Sequence, residues 1–324
     1  MTLLATAQDL GRRVLRRWQE VGRPADAFAD IAHTELAAVL PNLVAPPAAW
    51  IAELSAQDHL PPLLSATSRA FGEPPVRLWQ RAGVAVDVYF WLGPFTGLHD
   101  HGFSGAFGVL AAPSVHSVFR FDSDQAVDLP LRVGRVVRCH TELLLPGDVR
   151  AIAGRDRLPH RVMHLGRPSL SICVRTLRDH GAPPQRSFLM PALSVVSEQH
   201  LPRGVQHRPH LGQHVVRARS PDAPRQLAAL LAGTPDLLAF WILWRTFLAT
   251  TDGATVMAAL ALVPQRPWFD ALVLAMFAAV GDSVNWNEVT RQRDRLERAM
   301  ASDDLPEDDR QRLRARLATL ADRP

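Results

Sequence analysis

The segment "WLGPFTGLHDHGFSGAFGVL", residues 91–110, places two histidines one residue apart, directly after a loop broken by glycine and proline. Side chains alternate between the two faces of a strand, so a strand that reads His-x-His directs His99 and His101 to the same side. Two convergent imidazoles are either half of a metal site or two polar residues on a solvated sheet face. The rest of the chain has to distinguish between these interpretations.

A third imidazole would have to come from a later strand that lies beside the first. Residues 133–152 predict two strands joined by a Pro-Gly-Asp turn, and two further histidines, His160 and His164, follow. Gly147 allows the tight turn that returns the chain, and Pro159 fixes the backbone just before the first of them. We therefore predict His160 as the third ligand, with His164 as its substitute if the register is shifted.

The hydrophobic pattern divides the chain into three parts. Residues 1–72 show apolar spacings near 3.6, punctuated by prolines, which predicts helices. Residues 73–218 contain short alternating segments bounded by Gly and Pro, which predicts a β-barrel or sandwich, with an extended connector over 179–218. Residues 219–324 are helical again and end in two charged amphipathic helices. The predicted fold class is α+β, with a central barrel flanked by helical regions.

Composition excludes several classes of partner. The 36 basic residues are all arginines, and they are scattered along a chain whose net charge is only +4, so we expect no nucleic-acid partner. Two cysteines do not make a disulfide framework. The most apolar segment, 236–251, is too short to span a bilayer and contains Arg245. With no signal peptide in the pattern, we expect a cytoplasmic protein without a membrane partner.

The order of Gly-x-His-x-His, a Pro-Gly-Asp-Val turn and a later histidine resembles the two-part signature of the cupins, which are β-barrel metalloproteins. Within that superfamily the chain looks most like the cysteine dioxygenase group of thiol dioxygenases. The resemblance depends on Trp91, on the run Gly97–Gly102 and on the run Pro159–Val162. It covers about residues 76–177, roughly a third of the chain.

The resemblance implies a jelly-roll-like barrel that holds one Fe(II) through His99, His101 and His160. It also implies that O₂ and a substrate thiol bind side by side on the open face of the metal. Many cupins carry a glutamate ligand shortly after His-x-His, but residues 102–110 contain no acidic side chain. Three neutral imidazoles leave the metal dicationic, which suits an anionic substrate.

The chain also departs from the family pattern. The family cysteine that crosslinks to a tyrosine falls on Ala106. The Ser-x-His-x-Tyr triad of the family falls on Ser169, Ser171 and Cys173, so only its serine is retained, and the single tyrosine of the chain is Tyr89. These departures concern thiol oxidation itself and leave the three histidines intact.

Four side chains are predicted to contact the substrate. The family pairs a substrate carboxylate with an arginine on an early strand, and "VRLWQRAG" offers Arg77 and Arg81, between which counting does not decide. A guanidinium suits bidentate recognition of a carboxylate. Tyr89 and Trp91, on the strand that leads into the histidine loop, complete the set. We predict no catalytic residue beyond the metal ligands.

The sequence thus predicts a metal-dependent cupin oxygenase, an Fe(II)- and O₂-dependent, dioxygenase-like enzyme that acts on a small thiol or amino-acid-like carboxylate. One alternative is a ligand-binding or regulatory cupin whose helical domain engages a partner. Another is a Zn- or Ni-dependent isomerase or hydrolase on the same scaffold. The C-terminal helices are expected to dock on the barrel or to form a homodimer, through an apolar surface around Phe240, Trp241, Trp244 and Phe247.

Overall fold

The computed structural model describes residues 2–61, 72, 74–93, 95–126, 128–154, 159–250 and 253–279. Within these residues, helices occur together with antiparallel strand pairs, which confirms the predicted α+β class. The helices are α1 (Leu3–Glu20), α2 (Phe28–Val39), α3 (Pro47–Ser55), α4 (Arg208–Arg217), α5 (Ala223–Leu231), α6 (Asp236–Thr250), α7 (Ala254–Leu260) and α8 (Phe269–Ala279).

The strands are β1 (Pro75–Arg81), β2 (Val84–Trp91), β3 (Gly105–Ala111), β4 (Ser114–Asp122), β5 (Leu131–Val133), β6 (Arg135–Leu144), β7 (Val149–Ile152), β8 (His160–His164), β9 (Ser169–Thr176), β10 (Arg186–Leu189) and β11 (Leu193–Val196). They form three sheets. The five-stranded sheet has the order β1-β2-β9-β3-β7, and the two three-stranded sheets have the orders β10-β11-β5 and β6-β4-β8. Because β2 and β9 pair over their whole lengths, from Val84↔Thr176 to Trp91↔Ser169, they fix the register of the five-stranded sheet.

Strand β2 is buried along its whole length because both of its faces are covered. Its even-numbered residues, such as Val86 and Val88, pack into an apolar core with α1 and α2. Its odd-numbered residues Tyr89 and Trp91 face the other way and pack with the neighbouring Cys173 of β9. The period of two therefore gives the five-stranded sheet one face toward the helices and one face toward a pocket.

Helix α2 approaches β3 closely at a glycine. A Cβ atom at Gly108 would lie 2.8 and 2.9 Å from the two methyl carbons of Leu40 and 3.5 Å from a methyl carbon of Leu36. Both leucines are fully buried in the core beside the sheet. The absence of a side chain at this position lets the end of α2 pack directly on the strand.

The contacts divide the chain into two compact units. Of the described residues, the first contains those within 1–119 and 138–183, and the second contains those within 120–137 and 184–279. The N-terminal helices thus fall in the same unit as the five-stranded sheet. The division of the sequence at 72 and 218 into three domains stays a prediction.

The second unit has an apolar core of its own, built around α6. Phe240, Trp241, Trp244 and Phe247 are buried in this core, where Phe240 also packs against Trp268 of the loop before α8. The prediction that these four aromatic side chains form an exposed docking surface is therefore wrong, because their own unit covers them. The two charged helices predicted after residue 280 lie outside the described residues, and the homodimer stays a prediction.

Among the described residues, no single helix is both long and apolar enough to cross a bilayer. One pair of helical segments, Phe28–Asn42 with Pro47–Ser55, is long and apolar enough when the two segments are taken together, but the pair is bent by 97° between them.

Candidate metal centre

The backbone brings the two predicted histidine segments together. The amide of His99 donates to the carbonyl of His160 at 3.0 Å, and the amide of His160 donates to the carbonyl of His99 at 2.8 Å. This isolated bridge joins the histidine loop to the start of β8. Side chains at directly paired positions are neighbours on one face, so the bridge places the imidazoles beside one another.

The three predicted ligands converge. One ring nitrogen from each of His99, His101 and His160 can be chosen so that all three lie within 4.8 Å of one another. The Nε2 atoms of His101 and His160 are 2.9 Å apart. A metal ion that binds two imidazoles at right angles with bonds of about 2.0–2.1 Å holds their nitrogens about 3 Å apart. The spacing in the structure therefore fits two neighbouring ligands of one ion.

Hydrogen bonding leaves nitrogens of this cluster suited to metal binding. Nδ1 of His99 lies 2.6 Å from the carbonyl oxygen of Gly97, which only accepts, so this nitrogen carries the proton and Nε2 keeps its lone pair. The ligating nitrogen of His101 is Nε2, which lies beside Nε2 of His160, and its Nδ1 has no hydrogen-bond partner among the residues that the structure describes. Burial lowers the pKa of His99, His101 and His160, which favours the neutral, ligating form of each ring.

The cluster opens into a pocket of the first unit with about 580 Å³ of empty space, part of it open to solvent. Most of the remaining lining is aromatic or aliphatic. The Phe103 ring packs at a tilt against His101, with ring centroids 4.4 Å apart, and Phe107 lies near His160, at 6.1 Å. No carboxylate is found among the described lining residues. The donor set is thus three imidazoles without an acid, which fits a divalent transition metal.

His164 lies at another place in the same pocket. Residues 160, 162 and 164 of β8 all line the pocket, as the period of two requires, and four residues of strand span about 13 Å. The His164 ring stacks on Trp91 at 4.8 Å, and its Nδ1 is 3.2 Å from Oγ of Ser114. The structure thus groups His160, rather than His164, with the His-x-His pair.

Of the four side chains predicted to contact substrate, Tyr89 and Trp91 line the pocket and Arg77 and Arg81 do not. The rings of Tyr89 and Trp91 stack at 5.6 Å, and Trp91 Nε1 donates to Ser171 Oγ at 2.9 Å. Arg81 is exposed at the end of β1. The roles of all four residues in binding substrate stay predictions.

Arg77 is held in a buried ion cluster beside the pocket, on the face of the sheet that also carries Tyr89. Its Nε donates to Asp87 at 2.7 Å, and it also bonds Gln80. Arg175 of β9 donates to the same Asp87 carboxylate at 3.0 Å, while its guanidinium lies 4.8 Å from the ring centroid of Phe103, a lining residue. Sequence reasoning missed Arg175, because its place diagonal to Asp87 follows from the register of β2 and β9, which pairs Asp87 with Cys173 and Ala85 with Arg175.

The positions that depart from the family pattern lie on both faces of the sheet. Ala106 is fully buried in the core on the helix side. Ser169 donates to the carbonyl of Ala111 at 3.1 Å. Cys173 lines the pocket, and burial raises the pKa of its thiol to about 12. Cys173 is therefore a neutral thiol at physiological pH, which agrees with a packing role more than with a nucleophile.

No protein-family model matches the chain, and no curated protein matches it. Similar solved structures include a cupin-2 domain protein from Rhodospirillum rubrum, with 14% identity, 56% of this chain and 89% of that chain covered, and a TM-score of 0.25. A DMSP lyase from Ruegeria pomeroyi has 13% identity and a TM-score of 0.26, with 55% of this chain and 95% of that chain covered. Peruvianin-I, a cysteine peptidase from Thevetia peruviana latex, has 13% identity, a TM-score of 0.23 and 33% of this chain covered, and this chain spans 56% of its length. The function has to be inferred from the chemistry of the chain's own side chains.

Proposed function

We propose that this chain is a cupin-type, metal-dependent oxygenase that holds one Fe(II) through His99, His101 and His160 and uses O₂ on a small molecule. The observation on which this depends is the convergence of three neutral imidazoles at the wall of a buried pocket whose described lining has no carboxylate. The resemblance of the two histidine segments to the thiol dioxygenases supports iron as the metal. When bound, Fe(II) would supply a redox-active Lewis acid that activates O₂ and polarises the substrate.

The pocket walls around the reacting groups are mostly apolar. Phe103 and Phe107 flank two of the three histidines, and they pack in one apolar cluster with Ile152, Tyr89 and Trp91. An apolar, water-poor site strengthens each electrostatic interaction between the bound substrate and the centre. The hydroxyl of Ser171, beside the Trp91 indole, offers a polar group that orients a substrate.

The charge balance supports an anionic substrate. Three neutral imidazoles would leave both positive charges of a divalent metal uncompensated. Beside the pocket, Arg77 and Arg175 face the single carboxylate of Asp87, so this cluster adds one surplus positive charge. A thiolate or a carboxylate on the substrate would offset this charge, which is why a small thiol or amino-acid-like carboxylate remains our proposed substrate class.

The test begins with anaerobic reconstitution with Fe(II), followed by iron analysis and oxygen-electrode traces. The panel contains L-cysteine, 3-mercaptopropionate and cysteamine, since cysteamine has a thiol but no carboxylate. We expect about one iron per chain and oxygen uptake that is fastest with a substrate that carries both thiol and carboxylate. His99→Ala should abolish uptake, whereas His140→Ala, an exposed histidine on β6, should retain it.

Three results would contradict the proposal. The first is a wild-type chain that binds no iron under these conditions, and the second is uptake that survives His99→Ala. The third is tight binding of iron and of a panel compound without any oxygen uptake, which would identify a non-catalytic, ligand-binding cupin instead.

A further inference from the structure

His160 is connected to a second histidine that lies outside the ligand set. In the pairing of β4 with β8, His116 stands opposite Val162, two pairs along from Val118↔His160. The two imidazoles are therefore diagonal neighbours on the same face. Nε2 of His116 lies 2.8 Å from Nδ1 of His160, and the ring of Phe107 packs near both.

The chain of contacts continues away from the pocket. Nδ1 of His116 lies 2.9 Å from Oε1 of Glu142 on β6. Arg150 of β7 donates to the same carboxylate through Nε at 2.9 Å and through a second guanidinium nitrogen at 2.5 Å. The Arg150 guanidinium lowers the pKa of Glu142 to about 2, so the carboxylate is ionised at physiological pH. The sequence of contacts is thus Arg150, Glu142, His116 and His160.

An ionised carboxylate determines where each proton of this chain sits. Glu142 can only accept, so Nδ1 of His116 must carry the proton. A neutral imidazole has one N–H, so Nε2 of His116 has a lone pair and accepts from Nδ1–H of His160. The Nε2 of His160 is then left with its lone pair, and this is the atom that lies 2.9 Å from Nε2 of His101.

We propose that His116 and Glu142 are positioning residues that hold His160 in the tautomer whose Nε2 lone pair faces the other two histidines, and that they thereby set the metal affinity of the centre. This inference rests on the proposed metal site. Hydrogen-bond acceptors behind a ligating histidine fix its tautomer and its orientation and raise its basicity. Here the acceptor is the imidazole of His116. Its other nitrogen is bonded to the carboxylate of Glu142, which in turn accepts from Arg150.

Burial makes the tautomer of His160 depend more on His116 than on Glu142 or Arg150. Its side chain is only 7% exposed, whereas those of Glu142 and Arg150 are 26% and 37% exposed. Water can therefore replace the outer members of the chain more readily than the inner imidazole. Without an acceptor at position 116, the other tautomer of His160, with a proton on Nε2, would no longer be disfavoured, and that tautomer cannot ligate through Nε2.

Zn(II) is the probe for the first test, because it binds imidazoles without redox chemistry and needs no enzyme activity. Its affinity is measured by competition with a chromophoric chelator. We expect His116→Leu to weaken binding about 10- to 100-fold. His116→Gln should restore a substantial part of that loss, because its amide oxygen can accept from His160. Glu142→Gln should lie between wild type and His116→Leu.

The matched control is His140→Leu, which removes an exposed histidine two residues before Glu142 on the same strand. It should bind Zn(II) within twofold of wild type. Wild-type affinity in His116→Leu would overturn the proposal. So would a His116→Gln variant that is as weak as His116→Leu while both remain folded by circular dichroism.

The second test observes the tautomer itself in metal-free protein. ¹⁵N NMR of the imidazole nitrogens should show His160 protonated on Nδ1 in wild type and a growing Nε2-protonated population in His116→Leu. Nε2 protonation in wild type would overturn the proposal. If wild type shows the expected tautomer but binds no Zn(II), the proposed metal site is wrong, and the assignment of His116 to metal affinity is wrong with it. If wild type binds Zn(II) but shows the other tautomer, only the role of His116 is wrong. The two failures are therefore distinguishable.

Discussion

Asp87 is the single residue on which the buried charge cluster beside the pocket depends. Its carboxylate is 1% exposed and accepts from both Arg77 and Arg175. We expect Asp87→Asn to lower the free energy of unfolding by about 3 kcal/mol or more, because it leaves two buried guanidinium groups without their counter-charge. Urea titration followed by circular dichroism gives the measurement. Asp9→Asn is the control, since it breaks an exposed helix pair with Arg12 and should cost about 0–1 kcal/mol.

An Asp87→Asn protein that loses no more stability than this control would show that the cluster is solvated in solution. The surplus positive charge beside the pocket would then be screened, and the charge argument for an anionic substrate would weaken.

The two cysteines should react very differently. Cys139 is exposed on β6, whereas Cys173 is buried and burial raises its pKa to about 12. The thiolate is the reactive form, so we expect iodoacetamide at pH 8 to label only Cys139 in the folded protein. Mass spectrometry of the intact chain should show one adduct, and none in Cys139→Ser. A second adduct that appears as fast as the first would place Cys173 in contact with solvent.

The histidines show which parts of the site a sequence predicts. The spacing of His99 and His101 and the turn before His160 suffice to predict these three, although the first two lie in a loop with an isolated bridge at His99 rather than in the strand that the pattern suggests. His116 contacts His160 across 44 positions, and only the register of β4 against β8 makes them neighbours. The pairing of Arg175 with Asp87 spans 88 positions and depends on register in the same way. Residues that act through another residue are thus the ones that single-sequence reasoning misses.

At the scale of elements, the contact between α2 and β3 depends on the missing side chain at Gly108. A Cβ there would meet Leu40 at 2.8 Å, which is closer than a carbon–carbon contact allows. We expect Gly108→Ala to cost about 1–3 kcal/mol of unfolding free energy through overpacking. Leu40→Val should lower the unfolding free energy less in the Gly108→Ala protein than in the wild type. A double-mutant cycle in urea measures this coupling.

Gly97→Ala provides the comparison for stability, because a Cβ at that position meets no atom within 4 Å. The predicted packing would be contradicted if Gly108→Ala were as harmless as Gly97→Ala, or if the effects of Gly108→Ala and Leu40→Val were strictly additive.

The connector shows where element prediction failed. Its Pro, His and Arg content predicts an extended segment over 179–218, and two short strands, β10 and β11, do lie there. The helix α4, Arg208–Arg217, was missed, although Pro209 at its first turn is a helix-start signal. The apolar face of α4 is short, so the prediction followed the Pro, His and Arg content of the segment rather than its weak helical periodicity. The aromatic residues of α6 were misassigned for the opposite reason, since a strongly apolar helix predicts burial but does not say against what.

At the scale of the whole molecule, the first unit contains every residue of the candidate site. The three histidines, the positioning pair and the pocket lining all fall within residues 1–119 and 138–183. The second unit has its own core around α6, in which Leu243 is fully buried. We therefore expect damage to that core to change stability without changing the affinity of the metal centre.

Leu243→Ala tests this separation. Removal of a fully buried leucine side chain should lower the unfolding free energy by about 2–5 kcal/mol. Under conditions in which the variant stays folded, its affinity for Zn(II), measured by chelator competition, should remain within twofold of wild type, because no ligand or lining residue lies in the second unit. Leu110→Ala, in the core behind β3 of the first unit, is the matched substitution. Because β3 also carries Phe107, beside His160, a shift of that strand should weaken Zn(II) binding. Equal loss of affinity in the two variants would mean that the centre depends on the whole chain rather than on the unit that contains its ligands.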